Sequence, residues 1–153
     1  MKRLLVLVTT LFLANIAQAH GIFGVGPAIG DPIGVTGNFE LDLNQSIDAF
    51  VGWSGGTHDG TQVHADYLQI LGPVAAIEDQ QLFFYWGAGA RLTFITRGDD
   101  KNKMAFGPRV PVGLETEFKD YKWQVFAEAA LVLDVMPSTT LDVDILIGGR
   151  YYF

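Results

Sequence analysis

The chain has 153 residues, one domain's worth, of which 49% are hydrophobic and 18% charged, with 18 Gly and no Cys. Its 17 Asp+Glu against 10 Lys+Arg and its pI near 4.7 exclude the basic face on which nucleic-acid binding depends. The lack of cysteine excludes a disulfide scaffold, a thiol nucleophile, thiolate metal chemistry and a lipid anchor on an N-terminal Cys, and a mean hydropathy of +0.24 is too apolar for a disordered chain.

The first element is an export signal. Lys2 and Arg3 precede an uncharged run from Leu4 to Ala17, and Ala17-Gln18-Ala19 supplies a small-x-small pattern ahead of His20. The run is shorter than the roughly 20 residues of a helical membrane span. Residues 1–19 are therefore expected to be a signal peptide cleaved after Ala19, and residues 20–153 the mature domain. Cleavage removes two bases and no acid, so the acidic excess grows.

Beyond His20 the pattern has period two, interrupted by Gly, Asp, Asn and Pro clusters. Eight strands are expected, at about 21–29, 33–42, 46–54, 61–71, 80–95, 104–118, 122–135 and 141–153. The connections, among them Gly30-Asp31-Pro32, Gly55 to Gly60, Gly72 to Asp79 and Thr96 to Lys103, are short, which predicts an antiparallel up-and-down meander.

Each strand has one apolar face. Ile33, Val35, Phe39 and Leu41 oppose Asn38 and Glu40; Ile47, Val51 and Trp53 oppose Asp48; Val63 and Tyr67 oppose His64 and Asp66. In the fifth strand Leu82, Phe84, Trp86 and Leu92 oppose Tyr85 and Arg91, and in the sixth Phe106, Val110 and Leu114 oppose Arg109, Glu115 and Glu117. Trp123, Val125, Leu131 and Leu133 oppose Gln124, Glu128 and Asp134 in the seventh. In the last, Leu141, Val143, Ile145, Ile147, Tyr151 and Phe153 oppose Asp142, Asp144 and Arg150.

A soluble barrel would turn the apolar face inward, whereas a membrane barrel turns it to lipid. Three features favour the second. Trp53, Trp86, Trp123, Tyr151 and Phe153 sit near strand ends as an interfacial girdle would; the strands are long enough to cross; and the polar face carries Gly24, Gly26, Gly87, Gly89, Gly113 and Gly148, which leave room for long charged side chains in a narrow interior. The fold expected is all-β: an eight-stranded antiparallel up-and-down transmembrane β-barrel.

Arg150-Tyr151-Tyr152-Phe153, with apolar residues at alternate positions back to Leu141, resembles the C-terminal signal by which outer-membrane assembly machinery recognises barrels, with Tyr151 and Phe153 as its aromatic positions. Together with the export signal and eight strands, the chain resembles small outer-membrane barrels of the OmpX and OmpA-transmembrane type across residues 20–153. More narrowly, Gly26-Pro27-Ala28-Ile29-Gly30-Asp31-Pro32, His64-Ala65-Asp66-Tyr67-Leu68 and Phe126-Ala127-Glu128 resemble a family of bacterial outer-membrane barrels with no assigned function. The resemblance implies the cell outer membrane of a Gram-negative-type bacterium, with membrane lipids, lipopolysaccharide and the assembly machinery as partners. The chain departs from OmpX in its short connections, so an adhesive role does not carry over.

The expected lumen set is Glu40, Asp48, His64, Asp66, Arg91, Arg109, Glu115, Glu128, Asp144 and Arg150, with Tyr85, Asp134, Asp142 and Tyr152 beside them. If the first strand runs outward from the periplasm, Arg150, Glu115, Glu40 and Asp48 lie nearer the periplasmic end. The rest lie at middle to outer depth. Arg91 and Arg109 occupy adjacent strands and are expected to need Glu128, Asp144 or Asp66 between them, so that losing Glu128 would strand a guanidinium. An eight-stranded lumen holds only side chains, which favours a closed structural role over a solute pore.

The rival class is a lipid-modifying barrel enzyme, an acyl hydrolase or transferase, which needs a nucleophile, a base and an orienting carboxylate together. His64 and Asp66 share a face, but Ser46 and Ser138 lie at strand ends and Ser54 tops the third strand. No catalytic residue, metal site or cofactor is therefore assigned. His58-Asp59 offers only two ligands. Arg97-Gly98-Asp99 belongs to a charged loop suited to lipopolysaccharide phosphates, and a soluble periplasmic barrel binding an apolar ligand is the third reading.

Overall fold

The computed structural model describes residues 22–54, 59–77, 80–97, 102–118 and 122–153. The expected signal peptide, His20, His58 and Gly98-Asp99 lie outside the described residues, as does the side chain of Ser54. Eight strands follow one another: β1 (Phe23–Asp31), β2 (Ile33–Asp42), β3 (Gln45–Ser54), β4 (Gly60–Ile77), β5 (Gln80–Ile95), β6 (Met104–Phe118), β7 (Trp123–Asp134) and β8 (Thr140–Tyr152). Each pairs antiparallel with its sequence neighbours, and β8 returns to β1, with Gly24 opposite Tyr152 and Ile29 opposite Ile147, so that the sheet closes. The Phe153 amide donates to the Phe23 carbonyl at 3.0 Å and completes the seam where both chain ends meet.

Closure leaves no free edge, and the alternation of side chains then decides what lies inside. Along β7 exposed and buried residues alternate from Trp123 to Asp134 without a break. The buried member of each pair is polar or no larger than its partner, except at Phe126, which is 2% exposed beside an outward Val125. Leu131, Val143, Ile145 and Ile147 are more than half exposed, while Arg91, Arg109 and Arg150 are 2%, 1% and 1% exposed. The apolar part of the interior is small, with one cluster formed by Ala28, Phe50, Phe126 and Leu146. At the end that carries the termini, Trp123, Tyr151 and Phe153 form an edge-to-face chain of rings on the outside, with centroids 5.4 and 5.2 Å apart.

The inward glycines seat aromatic rings. A Cβ at Gly113 would run into the Tyr85 ring and hydroxyl, and one at Gly148 would meet the Phe126 ring 2.5 Å away. Only a residue without a side chain lets a ring from the neighbouring strand lie flat on the barrel wall.

One element differs from the sequence expectation. Residues 72–79 read as a connection because Gly72-Pro73 resembles a turn, yet β4 continues to Ile77 and pairs with β5 down to Gln80. Register shifts between Ile70 and Gly72 and between Pro73 and Ala75 absorb the two residues as bulges, and Gly72 adopts a φ of 117° open to glycine. The β4–β5 hairpin consequently outlasts its neighbours at the terminal end, with Leu71, Val74 and Ile77 exposed.

Candidate functional site

The interior divides into two polar layers. In the first, toward the far end, Arg91 donates through Nη2 to Asp134 at 2.5 Å and through Nη1 to Asp142 and Asp144 at 2.9 and 2.7 Å. Arg109 meets Asp66 through Nη1, Glu128 through Nη2 at 2.6 Å and the second oxygen of Asp144 through Nε at 3.3 Å. Asp144 thus joins the two guanidiniums, and Gln62 donates to it at 3.0 Å from across the lumen. The Tyr85 hydroxyl donates to Glu128 at 2.9 Å. Charged partners taken out of water hold best when their remaining lone pairs and protons are also satisfied; this layer draws its bonds from five strands, while Arg91 Nε, Asp66 Oδ1 and Gln62 Oε1 have no hydrogen-bond partner among the described residues.

The second layer centres on Arg150. Its guanidinium pairs with Asp48 at 2.5 Å, donates to Gln124 at 2.9 Å and to Thr36 at 2.9 Å, and lies 4.0 Å over the Phe126 ring. Asn38 donates to Ser46 and Asp48, and the Tyr152 hydroxyl lies 3.1 Å from Asn38 Oδ1 and 3.2 Å from Gln124 Oε1.

His64 belongs to neither network. It stacks on Phe50 with centroids 4.8 Å apart and planes 11° from parallel, and neither ring nitrogen has a hydrogen-bond partner among the described residues. Its Nε2 is 3.9 Å from Asp66, and His64, Asp66 and Glu128 place one ligand atom each within 4.8 Å of one another. This trio was not legible as a metal set from sequence, because Glu128 comes from a distant strand. Arg109 already supplies positive charge to both carboxylates, the role a cation would take.

Nor, among the described residues, does a serine lie beside His64. Cross-strand pairing sets His64 opposite Phe50 and Ser46 opposite Leu68, four positions along β4, or about 13 Å at strand rise. Ser46 is already bonded to Asn38, and Ser138 lies exposed on the β7–β8 connection beside Thr140.

Of the expected lumen set, the structure gathers Asp66, Arg91, Arg109, Glu128 and Asp144 into one layer and Asp48 and Arg150 into the other. Asp134 and Asp142 join the first as full partners of Arg91. Glu40 and Glu115 face inward but join neither: among the described residues neither makes an ion pair or a side-chain hydrogen bond. They line a cavity of about 250 Å³ at the terminal end instead. Gln62, Thr36 and Gln124 were missed as partners, since neutral side chains on an alternating strand carry no sign of what lies across the lumen. No family model matches the chain, and neither a curated protein nor a solved structure matches it.

Proposed function

We propose that this chain is an exported barrel of the Gram-negative-type outer membrane, with residues 1–19 as its signal peptide and a structural, envelope-integrity role. The carrying observation is the inversion of burial. Leu131, Val143, Ile145 and Ile147 point out of a closed barrel whose interior holds Arg91, Arg109 and Arg150. In water such a surface would be an aggregation liability; facing hydrocarbon, it is what the solvent requires. Strands of 9 to 18 residues span the roughly 9–11 needed to cross a bilayer, and the aromatic cluster of Trp123, Tyr151 and Phe153 fits an interfacial girdle. The resemblance of the last strand to the outer-membrane assembly signal supports the same reading and makes the assembly machinery a partner during biogenesis. Exposed Arg97, paired with Asp59 at 3.4 Å at the far end, suits contact with lipopolysaccharide phosphates.

We read the role as non-enzymatic and the lumen as closed. Two ion-paired layers fill it, and no described serine side chain reaches His64. The test is heat-modifiable migration of the protein in a membrane fraction: a folded barrel should change mobility on boiling and should refold from urea into phospholipid vesicles. A chain that stays monomeric and folded in detergent-free buffer would sink the reading.

A further inference from the structure

The terminal-end cavity has a charge problem that the two layers do not solve. It opens between the β2–β3 turn, the protruding β4–β5 hairpin and the ends of β6 and β8. Glu40, Asp42, Glu115 and Glu117 line it, and among the described residues no lysine or arginine does. The nearest guanidinium below, Arg150, is occupied by Asp48, Gln124 and Thr36.

Glu115 is the decisive residue. It is 4% exposed, lines the cavity, and among the described residues makes no direct ion pair and no hydrogen bond, feeling only the more distant Arg150 charge. Its cross-strand neighbours are Phe83 on β5 and Phe126 on β7, neither of which can donate to a carboxylate. A buried polar group without a partner is uncommon and unfavourable, more so when it is ionisable. Something that enters the cavity is the natural partner.

The shape narrows the class of partner. Divalent metal binding requires ligand oxygens that converge, yet among the described residues the only trio of His, Asp or Glu ligand atoms within 4.8 Å of one another is His64, Asp66 and Glu128, which is elsewhere. The cavity carboxylates are instead spread around a wall that also includes Leu43, Ile70 and Phe83. Separated anions alternating with apolar surface match a ligand with separated ammonium groups on methylene spacers. At about 250 Å³ the cavity lies below the roughly 300–1,000 Å³ of drug-sized sites, so the ligand is small.

We propose that this vestibule binds a short aliphatic polyamine, with one ammonium group paired to Glu115 and another to Glu117 or Glu40 at the mouth. The β4–β5 extension has a use in this arrangement, since Ile70, Gly72 and Phe83 form the wall against which the methylene chain packs. The inference rests on the closed barrel and its charge placement, and not on the membrane reading.

The test is titration of the folded full-length protein in zwitterionic micelles with spermidine, by calorimetry at fixed ionic strength. Glu115→Gln should weaken binding at least tenfold, and Glu117→Gln severalfold. Asp59→Asn removes the same charge at the opposite end and should leave the affinity unchanged. Unboiled gel mobility checks the fold of each variant; should Glu115→Gln not fold, Glu117→Gln against Asp59→Asn decides. No saturable binding, equal weakening by Glu117→Gln and Asp59→Asn, or displacement of spermidine by magnesium at matched ionic strength would each overturn the proposal.

Discussion

Replacing Arg109 should damage the barrel more than replacing any carboxylate around it. In the first layer two guanidiniums serve five carboxylates: Asp66, Glu128 and Asp144 on Arg109, and Asp134, Asp142 and Asp144 on Arg91. A charge pair at the 2.6 Å separation of Arg109 and Glu128 interacts by about 6 kcal/mol at an effective dielectric of about 20, before desolvation is subtracted. Arg109→Met keeps most of the volume but leaves Asp66 and Glu128 buried without a cation, which should cost about 3–5 kcal/mol. Glu128→Gln leaves Arg109 with two carboxylates and still offers an acceptor to Tyr85, so about 1–2 kcal/mol is expected. Urea unfolding in phospholipid micelles, followed by tryptophan fluorescence and unboiled gel mobility, measures both. From the sequence, losing Glu128 is expected to strand a guanidinium; with three carboxylates on Arg109, the excess of acid moves the vulnerable position to the arginine. A Glu128→Gln variant less stable than Arg109→Met would refute this accounting.

Leu131→Arg, on the outward face, should cost roughly 2–4 kcal/mol for refolding into vesicles if it meets the bilayer midplane; unchanged refolding there would place the apolar face against something other than lipid. Deleting Phe153 should lower membrane yield and leave precursor or periplasmic aggregate, measured by fractionation, and an unchanged yield would remove the aromatic terminus from the assembly signal. Gly113→Ala should displace the Tyr85 ring at a cost of about 1–3 kcal/mol, visible as a lower unfolding midpoint. Arg150→Ala should lower that midpoint as well, yet leave vesicles loaded with a small sugar impermeable, because the Arg91–Arg109 layer still fills the lumen; swelling of such vesicles would show that the layers do not act in series.

What the sequence made legible is what depends on neighbouring residues. Period two is a local property of the chain, so the faces of all eight strands and the depth grouping of Arg150 with Asp48 could be read directly. Two things could not. The Gly72-Pro73 pair has turn chemistry, and only pairing with β5 turns it into bulges within a longer strand. Partners across the lumen were also hidden, because Gln62 meets Asp144 at 82 residues' separation and Arg150 meets Thr36 at 114. Such pairs depend on the stagger with which the sheet closes, and alternation carries no information about stagger.

The separation of the interior into layers follows from where the bases stand. Arg91 and Arg109 lie on adjacent strands and draw the acids of β4, β7 and β8 to one height, while Arg150, alone near the other end, holds Asp48 and the neutral side chains around it. Each guanidinium is committed to the acids of its own layer, so an acid outside the layers has no direct ion-pair partner among the described residues. Glu115 feels the Arg150 charge but makes no direct pair with it, because that guanidinium is turned toward Asp48 and over the Phe126 ring. A fourth arginine in its neighbourhood would have filled the vestibule and closed the barrel end to end. The short polar residues found there instead, Asn38 and Ser46 among them, keep space beside the Glu115 carboxylate, and that combination separates the terminal end from the two ion-paired layers.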